Sequence, residues 1–211
     1  EVRILPDVDE SYPDTLQGEE IPLYIAKEKA DAYIPMMQPD ELIITADTIV
    51  WLDGKVLGKP RDREDALQML RTMSGRTHEV FTGVCITTTD WQRSFTAQTE
   101  VRFATLSEDE IIYYVDNFKP MDKAGAYGVQ EWIGFIGVEN ISGSYYNIMG
   151  LPVQKLYREL LKVLFNSLSR LPDSRHSEKM LWLSPQSFPN SVCRHDRRAG
   201  GSPDVHPYDT R

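Results

Sequence analysis

Between Leu42 and Pro60 the chain reads LIITADTIVWLDGKVLGKP, an apolar run that turns at Asp53-Gly54 and returns through Val56 and Leu57 to Lys59. Asp-Gly between two β-prone runs is a strong short-range hairpin signal, because both residues tolerate the positive φ that a two-residue turn demands. The apolar run is interrupted near its middle by Asp47 and Thr48. A carboxylate inside a strand that otherwise reads as buried costs several kcal/mol unless it is paired, hydrogen-bonded or holding a metal. Asp47 therefore needs a partner. Backbone amides are one solution, with Lys59 left on a solvated edge. A charged site is the other, since the fold-back brings Lys59 toward the same end of the sheet.

The rest of the chain bounds the choice. At 211 residues and 41% hydrophobic content it is long enough for one sizeable α/β domain, alone or with a tail. No stretch approaches the uninterrupted apolar length of a membrane span, so a membrane is not an expected partner. The formal net charge of -9 argues against a nucleic-acid backbone as the main partner. It leaves room for a phosphate ligand, because one metal ion and two or three lysines reverse a local field. The two cysteines, Cys85 and Cys193, form neither a disulfide framework nor a zinc site. The expected setting is a reducing cytoplasm. The chain opens on Glu-Val-Arg-Ile without an initiator Met, which fits a start further upstream.

Helices and strands alternate along the chain. Val2 to Val8 is a short β-prone segment that leads into Asp7, Asp9 and Glu10. Pro22 opens a helical stretch, Leu23 to Ile34, with Leu23, Ala26, Ala30 and Ile34 as its apolar stripe. Lys27 and Lys29 flank that stripe on opposite sides, and periodicity does not choose between them. After the hairpin, Arg61 to Met73 reads as a helix closed by Gly75, with Ala66, Leu67, Leu70 and Met73 on one face and Asp62, Glu64 and Asp65 suited to its positive end. His78 to Thr87 and Phe95 to Phe103 read as strands. His78, at a strand entrance, is expected to be a structural hydrogen-bonder rather than a catalyst. Ser107 and Glu110 have capping-box spacing ahead of Ile111, Tyr114, Val115 and Phe118. MDKAGAYGVQ, Met121 to Gln130, is a glycine-bearing loop before a strand-like Gly134 to Ile141. A final amphipathic helix runs from Val153 to Phe165 through Leu156, Tyr157, Leu160 and Leu164. From Asn166 onward five prolines and three of the four histidines accompany a loss of apolar period, so a disordered tail over 166–211 is expected.

Two motif look-alikes fail on spacing. Gly54 to Pro60 is one residue short of a phosphate loop and puts Pro where a metal-binding Ser or Thr belongs, and Gly125-Ala-Tyr-Gly128 lacks the dinucleotide fingerprint. What remains is Glu10, Lys27 or Lys29, Asp47, Lys59 and Gln130 on separate elements. Two carboxylates can hold a divalent metal, two ammonium groups can neutralise a polyphosphate, and an amide can read a base edge. That inventory suits hydrolysis of a phosphoanhydride.

ADTIV with LDG and LGKPRD, then LRTMSGRTHEVFTGV, DKAGAYGVQ and ISGSYYNIMGLP, resembles the Maf family of nucleoside triphosphate pyrophosphatases, in order and without large gaps from Glu1 to about Phe165. The resemblance implies an α/β fold with an elongated mixed sheet flanked by helices, a cleft between two lobes, and frequent homodimers. It implies Asp47 as the catalytic proton acceptor, Thr48 and Gln130 as nucleotide-selecting residues, and Lys29 and Lys59 beside the phosphates. Here Lys29 is preferred to Lys27. Asp47 with Glu10 would hold the divalent metal, Mg or Mn. ADT with AYGVQ resembles the branch acting on dTTP and UTP; the branch acting on 7-methyl-GTP differs beside the acid and at the glutamine. A carbonyl, N–H, carbonyl edge suits an amide that both donates and accepts. Family members open on Ser-x-Ser-Pro-Arg-Arg, whose arginine forks grip phosphates in a way lysines reproduce poorly. This chain starts after that segment, so the expected domain, 1–165, is N-terminally incomplete. The competing expectation is a catalytically impaired nucleotide-binding or cell-division-associated protein on the same fold.

Overall fold

The computed structural model describes residues 8–168. The β-prone start at Val2 and nearly all of the expected tail lie outside the described residues. Five strands form one sheet in the order β2-β1-β3-β4-β5: β1 is Ile43–Leu52, β2 Lys55–Leu57, β3 Thr77–Thr87, β4 Gln92–Phe103 and β5 Val138–Ser142. Helices α1 (Glu20–Tyr33), α2 (Arg63–Met73), α3 (Glu108–Phe118), α4 (Trp132–Gly137), α5 (Tyr145–Ile148) and α6 (Val153–Leu168) flank it. The expected helix-flanked α/β architecture is present, and every described strand pairing is antiparallel.

The hairpin forms where Asp53 and Gly54 both take positive φ, 52° and 77°, pairing Leu52 with Lys55. Alternation along β1 then sorts side chains to two faces. Ile49 packs with Ile21 and Ile25 of α1, and with Phe81. Val50 and Leu52 join Leu67, Leu70 and Met73 of α2 and Ile111, Tyr114 and Val115 of α3 in the main core. α2 is capped by the Asp62 side chain, which accepts from the Asp65 amide, and α3 by the Ser107–Glu110 capping box.

α1 comes unusually close to the sheet at Gly83. A β-carbon there would lie 2.4 Å from the backbone of Pro22 and Leu23, so only glycine admits the helix at this height. Gly83 is the register partner of Asp47. The sequence thus fixes the distance between the α1 side chains and the strand acid.

Three local expectations need correction. α1 begins at Glu20, and its buried face is Ile21, Pro22, Ile25, Ala26 and Ala30, while Ile34 is 41% exposed. Pro22 sits in the first turn, where its missing N–H has no intrahelical duty, so it does not set the start. Gly134 to Ile141 is not one strand. Residues 132–137 form α4, because Ile133 and Gly137, four apart, are the buried pair while Phe135 and Ile136 face out. In α6, Tyr157 is exposed and Leu156 carries the burial.

Candidate active site

Asp47 points from β1 toward α1, and the shallow seat of α1 over Gly83 brings Lys29 to it. Lys29 Nζ donates to Asp47 Oδ1 at 2.7 Å and pairs with Glu10 Oε1 at 2.9 Å. Lys59, carried back by β2, reaches Glu10 Oε2 at 3.5 Å. Two carboxylates and two ammonium groups from four stretches of chain therefore form one alternating cluster. Their side chains open on a cavity of about 290 Å³, also lined by Thr48 and Gln130. Of the two candidate lysines on α1, Lys29 lines this cavity.

Burial raises the Asp47 carboxyl above its ordinary range, and the Lys29 hydrogen bond only partly offsets that. Glu10, held by the same ammonium in a wetter position, is lowered. For Lys29, burial works against the charge, but the bonds to Asp47 and then Glu10 outweigh it and the ammonium ends above its usual value. Two acids served by one cation are thus pushed in opposite directions, Asp47 toward binding a proton and Glu10 toward staying ionised. Such divergence marks acid–base pairs as well as structural networks.

The far wall is of different character. Thr48 points to the opposite face from Asp47, where its hydroxyl meets Thr82 Oγ1 at 2.9 Å. Val50, Val80, Ile148 and Met149 make this part of the lining apolar. The glycine loop closes the cavity: Gly125 N–H donates to Gly58 O at 3.0 Å, tying the loop to the hairpin beside Lys59. All the expected site residues, Glu10, Lys29, Asp47, Thr48, Lys59 and Gln130, meet in this one space.

Sequence reasoning missed Asp122, Lys123 and Tyr127, which also line it. Lys123 is held by Asp122 at 2.8 Å and Glu131 at 3.2 Å. The signal was within reach, because the charged pair opens the glycine-bearing loop just ahead of Gly125. Tyr127 was hidden by distance along the chain: its hydroxyl bonds His78 Nε2 at 2.8 Å across 49 residues. His78 itself is buried against Phe103 and Tyr127, in the structural position expected of it.

Among the described residues no group of three or more His, Cys, Asp or Glu is arranged around a metal position. The donor chemistry of Glu10 and Asp47 nevertheless fits a hard divalent cation. Mg²⁺ characteristically takes one or two carboxylates and completes its shell with water and substrate phosphate.

A helix-flanked antiparallel sheet with a charged cleft against its central hairpin is the class of protein these elements define. The chain belongs to the Maf-like protein family, whose match covers residues 1–163. It is 72% identical over 159 residues to a protein of Bacteroides fragilis strain YCH46, covering 75% of this chain and 82% of that relative. A Bacteroides thetaiotaomicron protein is 72% identical over 162 residues, covering 77% and 84% of the two chains. One from Flavobacterium psychrophilum is 50% identical over 165 residues, covering 78% and 84%. Each of these relatives is named dTTP/UTP pyrophosphatase. No helix among the described residues is long and apolar enough to cross a membrane.

Proposed function

We propose that this chain hydrolyses nucleoside triphosphates, with dTTP and UTP as substrates, to the monophosphate and pyrophosphate. The observation that carries the reading is the meeting of Lys29, Lys59, Glu10 and Asp47 in one cavity with an apolar, hydroxyl-bearing wall opposite. The names of relatives up to 72% identical support the same substrates.

In this reading a water molecule attacks the α-phosphorus and the bond from that phosphorus to the bridging oxygen breaks. The bridging oxygen leaves with pyrophosphate. Asp47 is the proton acceptor for the water, and its burial-raised pKa makes it a stronger base than an ordinary surface carboxylate. Lys29 and Lys59 neutralise charge that builds on the phosphate oxygens. Glu10 keeps Lys29 and Lys59 aimed into the cavity until substrate arrives. Asp47 and Glu10 are also the residues that would hold Mg²⁺ or Mn²⁺. The chemistry such a cation supplies is charge neutralisation and a more acidic water. Thr48 and Gln130 select the base.

The family match ends at residue 163, which supports a catalytic domain ending near residue 165. The cytoplasm, where free nucleotides are pooled, is the proposed setting, and a homodimer is the proposed assembly, to be checked by sedimentation. Pyrophosphate release, coupled to inorganic pyrophosphatase and run with dTTP, UTP, CTP and 7-methyl-GTP plus Mg²⁺, tests the proposal. Turnover of dTTP and UTP above the other two is expected. Binding without turnover would instead support a non-catalytic nucleotide-binding protein.

A further inference from the structure

The hydrogen bonds behind Thr48 have a direction. Thr82 Oγ1 lies 3.1 Å from the backbone carbonyl oxygen of Asn147, which can only accept, so the single Thr82 proton is committed there. The 2.9 Å contact between the Thr48 and Thr82 hydroxyls must then be filled by the Thr48 proton. Thr48 is left with lone pairs alone for the cavity that it lines.

We infer that Thr82 is a specificity-determining positioning residue: anchored on Asn147, it takes the Thr48 proton and presents Thr48 Oγ1 to the nucleobase as an obligate acceptor. A ring N–H is thereby selected over a ring-nitrogen lone pair. The inference rests on the proposed nucleotide-hydrolase reading and deepens it. Uracil and thymine carry an N–H at ring position 3, where cytosine carries a lone pair. Gln130 cannot make this choice by itself, because a rotated amide offers a donor or an acceptor equally well. Thr48 can, provided that its proton is held elsewhere.

The anchor is rigid. Thr82 is fully buried and is the register partner of Thr48, so the two hydroxyls share one face of the sheet. The Asn147 side chain is fastened by Nδ2 donating to Val80 O and Thr99 Oγ1, both at 3.1 Å. Asn147 O also accepts from the Gly150 amide at 3.0 Å and is faced by the Met149 amide, which holds the carbonyl in place at the end of α5. The Asp47–Lys29–Glu10 cluster lies on the other face of β1, while Thr48 shares its side of the cavity with Val50, Val80, Ile148 and Met149, and with Lys123 at its edge.

The test is calorimetric binding of the α,β-imido analogues of UTP and CTP with Mg²⁺, alongside turnover of UTP and CTP. It is run on the natural chain, Thr82→Val and Thr82→Ser. Valine matches threonine in shape, and Asn147 O keeps its Gly150 donor, so the fold is expected to survive. Thr82→Ala, which also removes the acceptor, is read the same way should the valine variant unfold. In Thr82→Val the Thr48 proton is freed, and the preference for the UTP analogue falls by about tenfold, through tighter binding of the CTP analogue. Thr82→Ser retains the natural ratio. An unchanged ratio in Thr82→Val, an equal change in Thr82→Ser, or no binding of either analogue to the natural chain overturns the inference. The expected binding ratios without turnover would sink the hydrolase reading and leave this one standing.

Discussion

Two strands of one sheet each bury an ionisable side chain, and the molecule treats them in opposite ways. Asp47 on β1 retains 12% side-chain exposure, is met by an ammonium at 2.7 Å and opens on a cavity. His78 on β3 is 1% exposed, packs edge-on against Phe103 and Tyr127, and has one neutral hydrogen-bond partner. Its pKa is pushed down to about 4 by burial alone. Both groups carry a cost of desolvation. Only Asp47 is given counter-charges and room for a ligand, and that combination separates a chemical role from a packing role.

The sharpest way to break the comparison is Asp47→Asn. Loss of the proton acceptor is expected to lower pyrophosphate release by about 10²–10⁴-fold, while the thermal midpoint does not fall, because burial already disfavours the Asp47 charge. Near-normal turnover would remove Asp47 from catalysis. A smaller effect on rate and a larger one on stability are expected from Gly83→Ala. A methyl group placed 2.4 Å from the Pro22 backbone must lift α1, at a cost of about 1–3 kcal/mol. Lys29 moves with the helix, so activity falls beyond what the folded fraction explains. Urea denaturation and turnover measured on the same sample separate the two effects.

The least dramatic prediction sharpens the His78 side. Its native pKa lies below its unfolded value of 6.5, so the unfolded chain binds a proton that the native protein refuses. Stability contributed by the neutral ring is therefore complete above pH 6.5 and is lost as pH falls toward 4. The slope approaches about 1.4 kcal/mol per pH unit, amounting to about 3 kcal/mol in all. In His78→Leu that part of the slope disappears, whatever the variant's absolute stability. A slope unchanged by the substitution would show that other groups set the acid sensitivity. The His78–Tyr127 pair would then say nothing about titration.

Much of this was legible in the chain because its causes are local. Asp53-Gly54 announced the hairpin, Ser107 and Glu110 announced a helix start, and the buried face of α2 follows from residues three and four apart. Asp47 stood out as an acid among apolar neighbours. The rest depends on contacts that no local pattern encodes. Lys27 and Lys29 flank the apolar stripe equally, and only the seat of α1 over Gly83 turns Lys29 to the acid. Gly134 to Ile141 reads as one strand, yet its first four residues belong to α4, because the stretch is apolar in bulk and the four-residue burial spacing of Ile133 and Gly137 spans too few residues to show. The Thr48–Thr82–Asn147 relay joins residues 34 and 65 positions apart, which makes it invisible to periodicity. The roles of Thr48 and Gln130 came from the family likeness, and the bare sequence singled out only the amide.

One experiment reaches the heart of the account: hydrolysis of UTP in water enriched with ¹⁸O, followed by mass spectrometry of both products. If the cluster around Asp47 seats the triphosphate for water attack at the α-phosphorus, the label enters uridine monophosphate and none enters pyrophosphate. Label in pyrophosphate, or release of orthophosphate in its place, would contradict it.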